Sequence, residues 1–171
     1  MEEDSRGRTQ FYLRANEGNL SCVEAMAQEA RRIGKLEELI ENADEEGRTS
    51  LYEASFYNYT NVAKYLLRNG AMPDAALNNK SSWPGETPLT TSCYYGHEEI
   101  VVLLLKYGAN VEHQRPDGGD CAYDAAAGNQ LNILQLGYQV HLIVLVYFHL
   151  GPNHLDSCQI FILICKLVNL L

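Results

Sequence analysis

Hydrophobic and polar positions follow one pattern twice in the middle of this chain. GRTSLYEASFYNYTNVAKYLLRNGA (47–71) and GETPLTTSCYYGHEEIVVLLLKYGA (85–109) align without a gap at an offset of 38. Gly47, Thr49, Leu51, Leu66, Leu67, Gly70 and Ala71 fall on Gly85, Thr87, Leu89, Leu104, Leu105, Gly108 and Ala109. Thr87 suits a helix N-cap, and Pro88 suits the first helical position, where its missing N–H would have no partner in any case. Gly96-His97 ends that helix after about two turns. Ile100, Val101, Leu104 and Leu105 then space an apolar stripe along a second helix, and Gly108 stands just past its end, where a left-handed residue closes it. Each unit is therefore predicted to be a helix pair with one apolar face that only a neighbouring unit can cover.

The pattern continues in weaker form on both sides. Moving 33 residues on from Gly85 reaches Gly118. Ala125 then falls where Ser92 stands and Ile133 where Ile100 stands, while Asp120-Cys121 replaces the Thr-Pro pair. Upstream, residues 9–26 give an atypical first copy, with Thr9 on Thr87, Val23 on Val101, Gly18-Asn19 in the Gly-His place and Arg14 where a small residue is expected. In these motifs the chain resembles the ankyrin-repeat family, whose pattern G-x-T-P-L…A…G-H…V…L-L-x-x-G-A recurs every 33 residues or so. The resemblance implies an all-α ankyrin-repeat solenoid of stacked helix pairs with short hairpin-like loops. Five extra residues in the connection DAALNNKSSWP bring the offset to 38, an insertion that a loop tolerates.

The expected organisation is a disordered N-terminus over 1–8 and a repeat domain over 9–136, followed by a hydrophobic tail over 137–171. Copies are placed at about 9–43, 44–76 and 82–114, with an incomplete one at 115–136. The charged stretch VEAMAQEARRIGKLEELIENADEEG is expected to prolong the second helix of the first copy, with Ile33, Leu36 and Ile40 on its apolar side. From Gly137 onward the repeat pattern stops in mid-helix, and only Asp156 and Lys166 carry charge. LIVLVYF and IFILIC are each too short for a membrane span of about 20 residues. Three readings stay open for this tail: a cap over the last repeat, a membrane-associating hairpin formed by 139–171, and unselected sequence.

Charge and chemistry narrow the function. With 22 Asp and Glu against 13 Lys and Arg, the net charge of −9 argues against nucleic-acid binding, which needs a basic surface. The five cysteines form an odd count without a C-x-x-C pair, which argues against a disulfide framework or a zinc site and for a reducing compartment. The charged start MEEDSRGRTQ shows no signal-peptide core, so the expected location is cytoplasmic or nuclear. His97 sits at the Gly-His turn and is expected to bond loop backbone, and Cys93 is expected to be a small core residue. Glu98-Glu99 reads as a solvated helix start. Asp117, Asp120 and Asp124 lack the order of a calcium loop. No catalytic constellation and no metal or cofactor motif emerges, so the expected function is a non-catalytic protein–protein interaction module.

Ankyrin-repeat proteins grip partners with loop tips and the exposed side of the first helices. Carried over position by position, the resemblance implies Glu45, Glu46 and Arg48 at one tip, with Phe56 and Tyr57 on the adjoining helix. In the next copy it implies Trp83, Pro84 and Glu86 at the tip, with Tyr94 and Tyr95 on the helix. The last copy offers Pro116, Asp117, Gly119, Ala127 and Gly128. Trp and Tyr often dominate interface energy, while the alternative is that these rings fill gaps between helix pairs. Acidic residues around the rings favour a partner segment with Lys or Arg beside an apolar anchor. The N-terminal layout, with RANEGN and GANVEH, also resembles the fem family of ubiquitin-ligase substrate receptors within residues 9–114, which implies a fragment able to hold a degron. That family is much longer, and its adaptor-binding region has no counterpart here.

Overall fold

The computed structural model describes residues 3–136. The tail over 137–171 and the three readings given for it lie outside the described residues. Eight helices are bounded within the described part: α1 (Gln10–Asn16), α2 (Leu20–Arg32), α3 (Leu36–Glu41), α4 (Ser50–Phe56), α5 (Thr60–Arg68), α6 (Pro88–Tyr95), α7 (Glu98–Lys106) and α8 (Cys121–Ala127). Residues 131–136 are also helical. Strand-like pairing among the described residues is limited to isolated bridges such as Glu3 with Thr9 and Ala43 with Thr49. The chain is thus an all-α solenoid of stacked helix pairs. The first helices α1, α4, α6 and α8 pack side by side in one row, and the second helices α2, α5 and α7 form the row behind.

Local chemistry explains where each pair begins and turns. Thr9, Thr49, Thr87 and Asp120 cap the four first helices, each accepting a bond from the backbone N–H three residues on. At Thr87 the bond is reciprocal, because the Thr90 hydroxyl accepts from the Thr87 N–H at 2.8 Å. The turns into the second helices need a left-handed residue. Gly18 and Gly96 supply it at φ 71° and 75°, and Asn58 and Asn129 supply it in the other two units. His97 binds across units, its Nε2 lying 3.1 Å from the carbonyl of Phe56.

Four hairpin tips precede the first helices, and their hydrogen bonds locate the insertion. The N–H of Gly7, Gly47, Gly85 and Gly118 bonds the carbonyl of Asp4, Asp44, Leu77 and Arg115 respectively. That bond spans three positions at Asp44–Gly47 and eight at Leu77–Gly85, so the five extra residues belong to the tip itself. Residues 78–84 form a finger anchored on the preceding tip. Asn78 donates its N–H to the Glu46 carbonyl at 2.9 Å and its side-chain amide to the Glu45 carbonyl at 3.0 Å.

Three expectations are corrected. The charged stretch after α2 is not one prolonged helix: Gly34 turns left-handed at φ 72°, and α3 starts afresh. Leu39 and Ile40 are the buried pair there, whereas Ile33 is 55% exposed. Residues 4–8 are not disordered, since the Asp4 carboxylate accepts from the N–H of Arg6 and Arg8 and from Arg8 Nε. The cysteines do form a disulfide, Cys93–Cys121, with Cα atoms 5.6 Å apart. Its two residues are 28 apart in sequence and meet because α6 and α8 are neighbours in the row. The cysteine count therefore loses its force as an argument for a reducing compartment.

Two outcomes are expected. A loop of 28 residues closed by a disulfide is worth about 3.5 kcal/mol in the chain-entropy account. Urea unfolding with and without dithiothreitol should differ by about that amount, and coincident curves would contradict the bond. A Cβ on Gly128 would overlap the backbone carbonyl of Tyr94. Gly128→Ala should therefore cost about 1–3 kcal/mol of stability in the same assay by forcing α8 off α6.

Candidate partner-binding site

The finger and the second unit enclose a cleft of about 250 Å3. Glu46, Arg48, Tyr52, Glu53, Phe56 and Tyr57 line one side, and Leu77, Ser81, Ser82 and Trp83 line the other. The insertion builds a wall that the other three tips, with two residues each, cannot form. Leu77 and Ser81 are buried and fix the base of the finger, while Trp83 is 64% exposed at its end. The Ser81 hydroxyl accepts from the Trp83 N–H at 3.1 Å and holds that end in place.

Beside the cleft, aromatic rings run across two units. Phe56 meets Tyr57 and Tyr95 edge to face, each at 4.9 Å between centroids. Tyr95 meets Tyr94 at 5.0 Å and stacks on His97 at 5.9 Å. Tyr57, Tyr94 and Tyr95 are each more than 40% exposed, and Phe56 is half-buried. Five of the nine residues singled out from the sequence (Glu46, Arg48, Phe56, Tyr57 and Trp83) thus line the cleft, and Tyr94 and Tyr95 continue from Phe56. Glu45 is exposed outside it. Glu86 is half-buried and accepts the Tyr52 hydroxyl at 2.6 Å. Gly128 is half-buried against Tyr94.

The floor is a polar network that sequence reasoning missed. Arg48 bonds Asp44 at 2.8 Å and Glu46 at 3.2 Å, and its Nε lies 3.6 Å from Glu53. Glu53 accepts the Tyr12 hydroxyl at 2.6 Å. A signal for this floor was present. Asp4-x-x-Gly7-Arg8-Thr9 recurs as Asp44-x-x-Gly47-Arg48-Thr49, and Tyr12 and Tyr52 stand three residues after equivalent caps. Burial raises the pKa of Glu53 and of Glu86 above the ordinary glutamate value, against the opposing hydrogen bonds from Tyr12 and Tyr52. The hydroxyls of Tyr12 and Tyr52 are likewise pushed up by burial and by the adjoining carboxylates. Among the described residues no group of three or more His, Cys, Asp or Glu is placed to hold a metal, and no helix is long and apolar enough to cross a membrane.

Comparison with known proteins agrees with this architecture. A family model of three ankyrin repeats matches residues 1–76, and a single ankyrin-repeat model matches residues 84–115. The mouse protein fem-1 homolog A-like is 42% identical over 57 residues, which are 33% of this chain and 9% of that one. The 26S proteasome non-ATPase regulatory subunit 10 of Dictyostelium discoideum is 37% identical over 89 residues, 46% of this chain and 37% of the relative. The ankyrin repeat and KH domain-containing protein mask-1 of Caenorhabditis elegans is 49% identical over 43 residues, 25% of this chain and 2% of the relative. The chain therefore spans well under half the length of each of these relatives.

The buried carboxyls give the site a pH signature. Glu53 and Glu86 hold a proton more tightly in the folded chain than in the unfolded one, so protonation favours folding. That contribution is full below the ordinary value of 4.5 and is lost as pH rises through the folded values. A Glu53→Gln/Glu86→Gln variant keeps an acceptor for each tyrosine but has no carboxyl to ionise. It should gain stability relative to wild type as pH rises from about 4.5 to 7.5 in urea titrations. A stability difference that stays flat across that window would contradict the assignment.

Proposed function

Because the chain belongs to the ankyrin-repeat family, whose repeats mediate protein–protein interaction without catalysis, we propose that it binds a partner protein on the face formed by the cleft and the adjoining aromatic strip. The observation that carries this reading is the run of exposed rings. Tyr57, Trp83, Tyr94 and Tyr95 are 41–64% exposed, and they converge from two units and the inserted finger. Large rings left in water at one place favour desolvation by a partner. Their amphipathic edges suit a protein interface. Trp83 stacks on no other ring among the described residues, so its indole is free to receive one.

The charge around the rings sets the partner's character. Glu45, Glu46 and Glu86 lie around them, and the cation there, Arg48, is engaged by Asp44 and Glu46. A segment carrying Lys or Arg beside an apolar side chain fits, with the charge guiding approach and the apolar contact slowing release. Binding of this kind needs surface complementarity and no cofactor or covalent step. The resemblance of residues 9–114 to the fem family of ubiquitin-ligase substrate receptors, with the 42% identity to the fem-1 homolog over 57 residues, supports a second reading, a fragment that holds such a substrate on the same face. A membrane tether formed by 139–171 remains a reading of the sequence alone.

The test compares capture of proteins from cell lysate by the wild-type chain and by a Trp83→Ala/Tyr94→Ala/Tyr95→Ala variant, both first shown to be helical by circular dichroism. Truncating an interface Trp or Tyr at a hot spot costs about 2 kcal/mol, so the triple variant should lose a bound partner outright. A partner captured equally by both chains would move the contact away from this face.

A further inference from the structure

We propose that the cleft between Phe56, Tyr57 and Trp83 receives the quaternary ammonium head of a trimethylated lysine in the partner; this rests on the partner-binding reading above. The cleft has ring-bearing walls on both sides. Phe56 and Tyr57 stand edge to face on one side, with Tyr52 behind them, and the unstacked Trp83 indole lines the other. Aromatic faces attract cations, and a methylated ammonium is the cation whose apolar surface also gains from their contact.

The charge of the lining has the matching sign. Asp44 and Glu46 share one guanidinium, that of Arg48, so the cluster carries an excess of carboxylate before Glu53 is counted. Hydrogen bonding then separates the candidate cations. Glu46 Oε1 already accepts from Arg48, Glu53 Oε1 from the Tyr12 hydroxyl, and the Ser81 hydroxyl from the Trp83 backbone N–H, which leaves Glu46 Oε2 and the Ser82 hydroxyl as the readiest acceptors of the lining. An unmodified lysine brings three N–H donors and an arginine five, and donors taken out of water need new acceptors. Trimethylammonium brings none. At about 250 Å3 the cleft falls below the roughly 300–1,000 Å3 of sites for drug-sized ligands, which suits one side-chain head. Free choline offers the same head, but Phe56 joins the cleft to the strip of Tyr95 and Tyr94, which gives the residues flanking a lysine somewhere to lie.

Trp83 is the single tryptophan of the chain, so its fluorescence reports on the cleft directly. The intact protein is titrated with choline, with choline's neutral tert-butyl isostere, and with a peptide bearing an apolar residue beside lysine or trimethyllysine. Choline is expected to change Trp83 emission saturably while the isostere does not. The trimethylated peptide should bind about tenfold tighter than the unmodified one and tighter than choline. Trp83→Ala, followed by calorimetry, should bring the two peptides to within about twofold of each other, whereas Glu46→Gln should weaken both and leave their ratio in place. An equal response to the neutral isostere, equal binding of the two peptides, or choline binding as tightly as the trimethylated peptide would overturn the proposal. Those results together with Trp83-dependent capture of a partner would leave the aromatic face standing. Loss of that dependence as well would remove both readings.

Discussion

The first helices of successive units run close enough together that small side chains line the middle of the seam between them. Ala54 and Ser55 on α4, Ser92 and Cys93 on α6, and Ala125 on α8 are all fully buried. Ser92 serves as a small residue because its hydroxyl is satisfied within its own helix, donating to the Pro88 carbonyl at 2.7 Å. Where even a methyl group would be too large, at Gly128 against Tyr94, there is glycine. This closeness has two consequences. It brings Cys93 and Cys121 within bonding reach, and it keeps the rings of the aromatic face out of this stretch of the seam. Those rings stand at the helix ends as Phe56, Tyr57, Tyr94 and Tyr95, beside the turns.

A second constraint runs beneath that face. Tyr12 reaches Glu53 in the next unit, and Tyr52 reaches Glu86 in the unit after that. In the last unit Arg115 donates to Asp124, both buried, which ties the tip to its own helix rather than one unit to the next. A carboxylate withdrawn from water is costly, and a rung that loses its donor strands a buried charge. The rungs therefore add less to net stability than their short distances suggest. Each accepts only one partner geometry, which fits a role in fixing how far one unit is displaced along the next. The Asp44–Arg48 clamp extends the same network to the tip that carries Glu45 and Glu46. The floor of the cleft and the register of the stack are then one hydrogen-bonded structure.

The sequence disclosed the parts of this arrangement that depend on neighbours in the chain. Thr87, Pro88, Gly96 and Gly108 announce their roles because capping and helix closure are local physics, and the capping box and left-handed turns are where the pattern puts them. The apolar spacing of Ile100, Val101 and Leu104 marks the buried face of α7 for the same reason. What was not legible came from contacts between units. Cys93 and Cys121 carry no local mark of pairing, and an odd total count pointed the other way. Glu53 reads as an ordinary polar residue of a short helix until Tyr12 arrives from 41 positions earlier. Ile33 looked like the start of an apolar side because the break at Gly34 was read as part of one helix.

The finger shows why the departure from the repeat matters more for binding than the repeat itself. A regular tip offers two residues and a flat edge, and four such tips in line would give a shallow, uniform surface. Seven residues between Leu77 and Gly85 leave the hairpin bonds on either side intact, so the stack experiences the insertion only as a longer loop. Loop length adds to folding cost only logarithmically, whereas the same residues placed within a helix would break the seam. The insertion thus changes shape where shape is thermodynamically cheap. It turns an edge into a cleft by standing Trp83 opposite Phe56 and Tyr57. The rigid side of that cleft belongs to the stack, and the variable side belongs to the finger. Substitutions between Asn78 and Pro84 can therefore alter what is bound while the capped helices, the buried rungs and the small-residue seam continue to hold the fold.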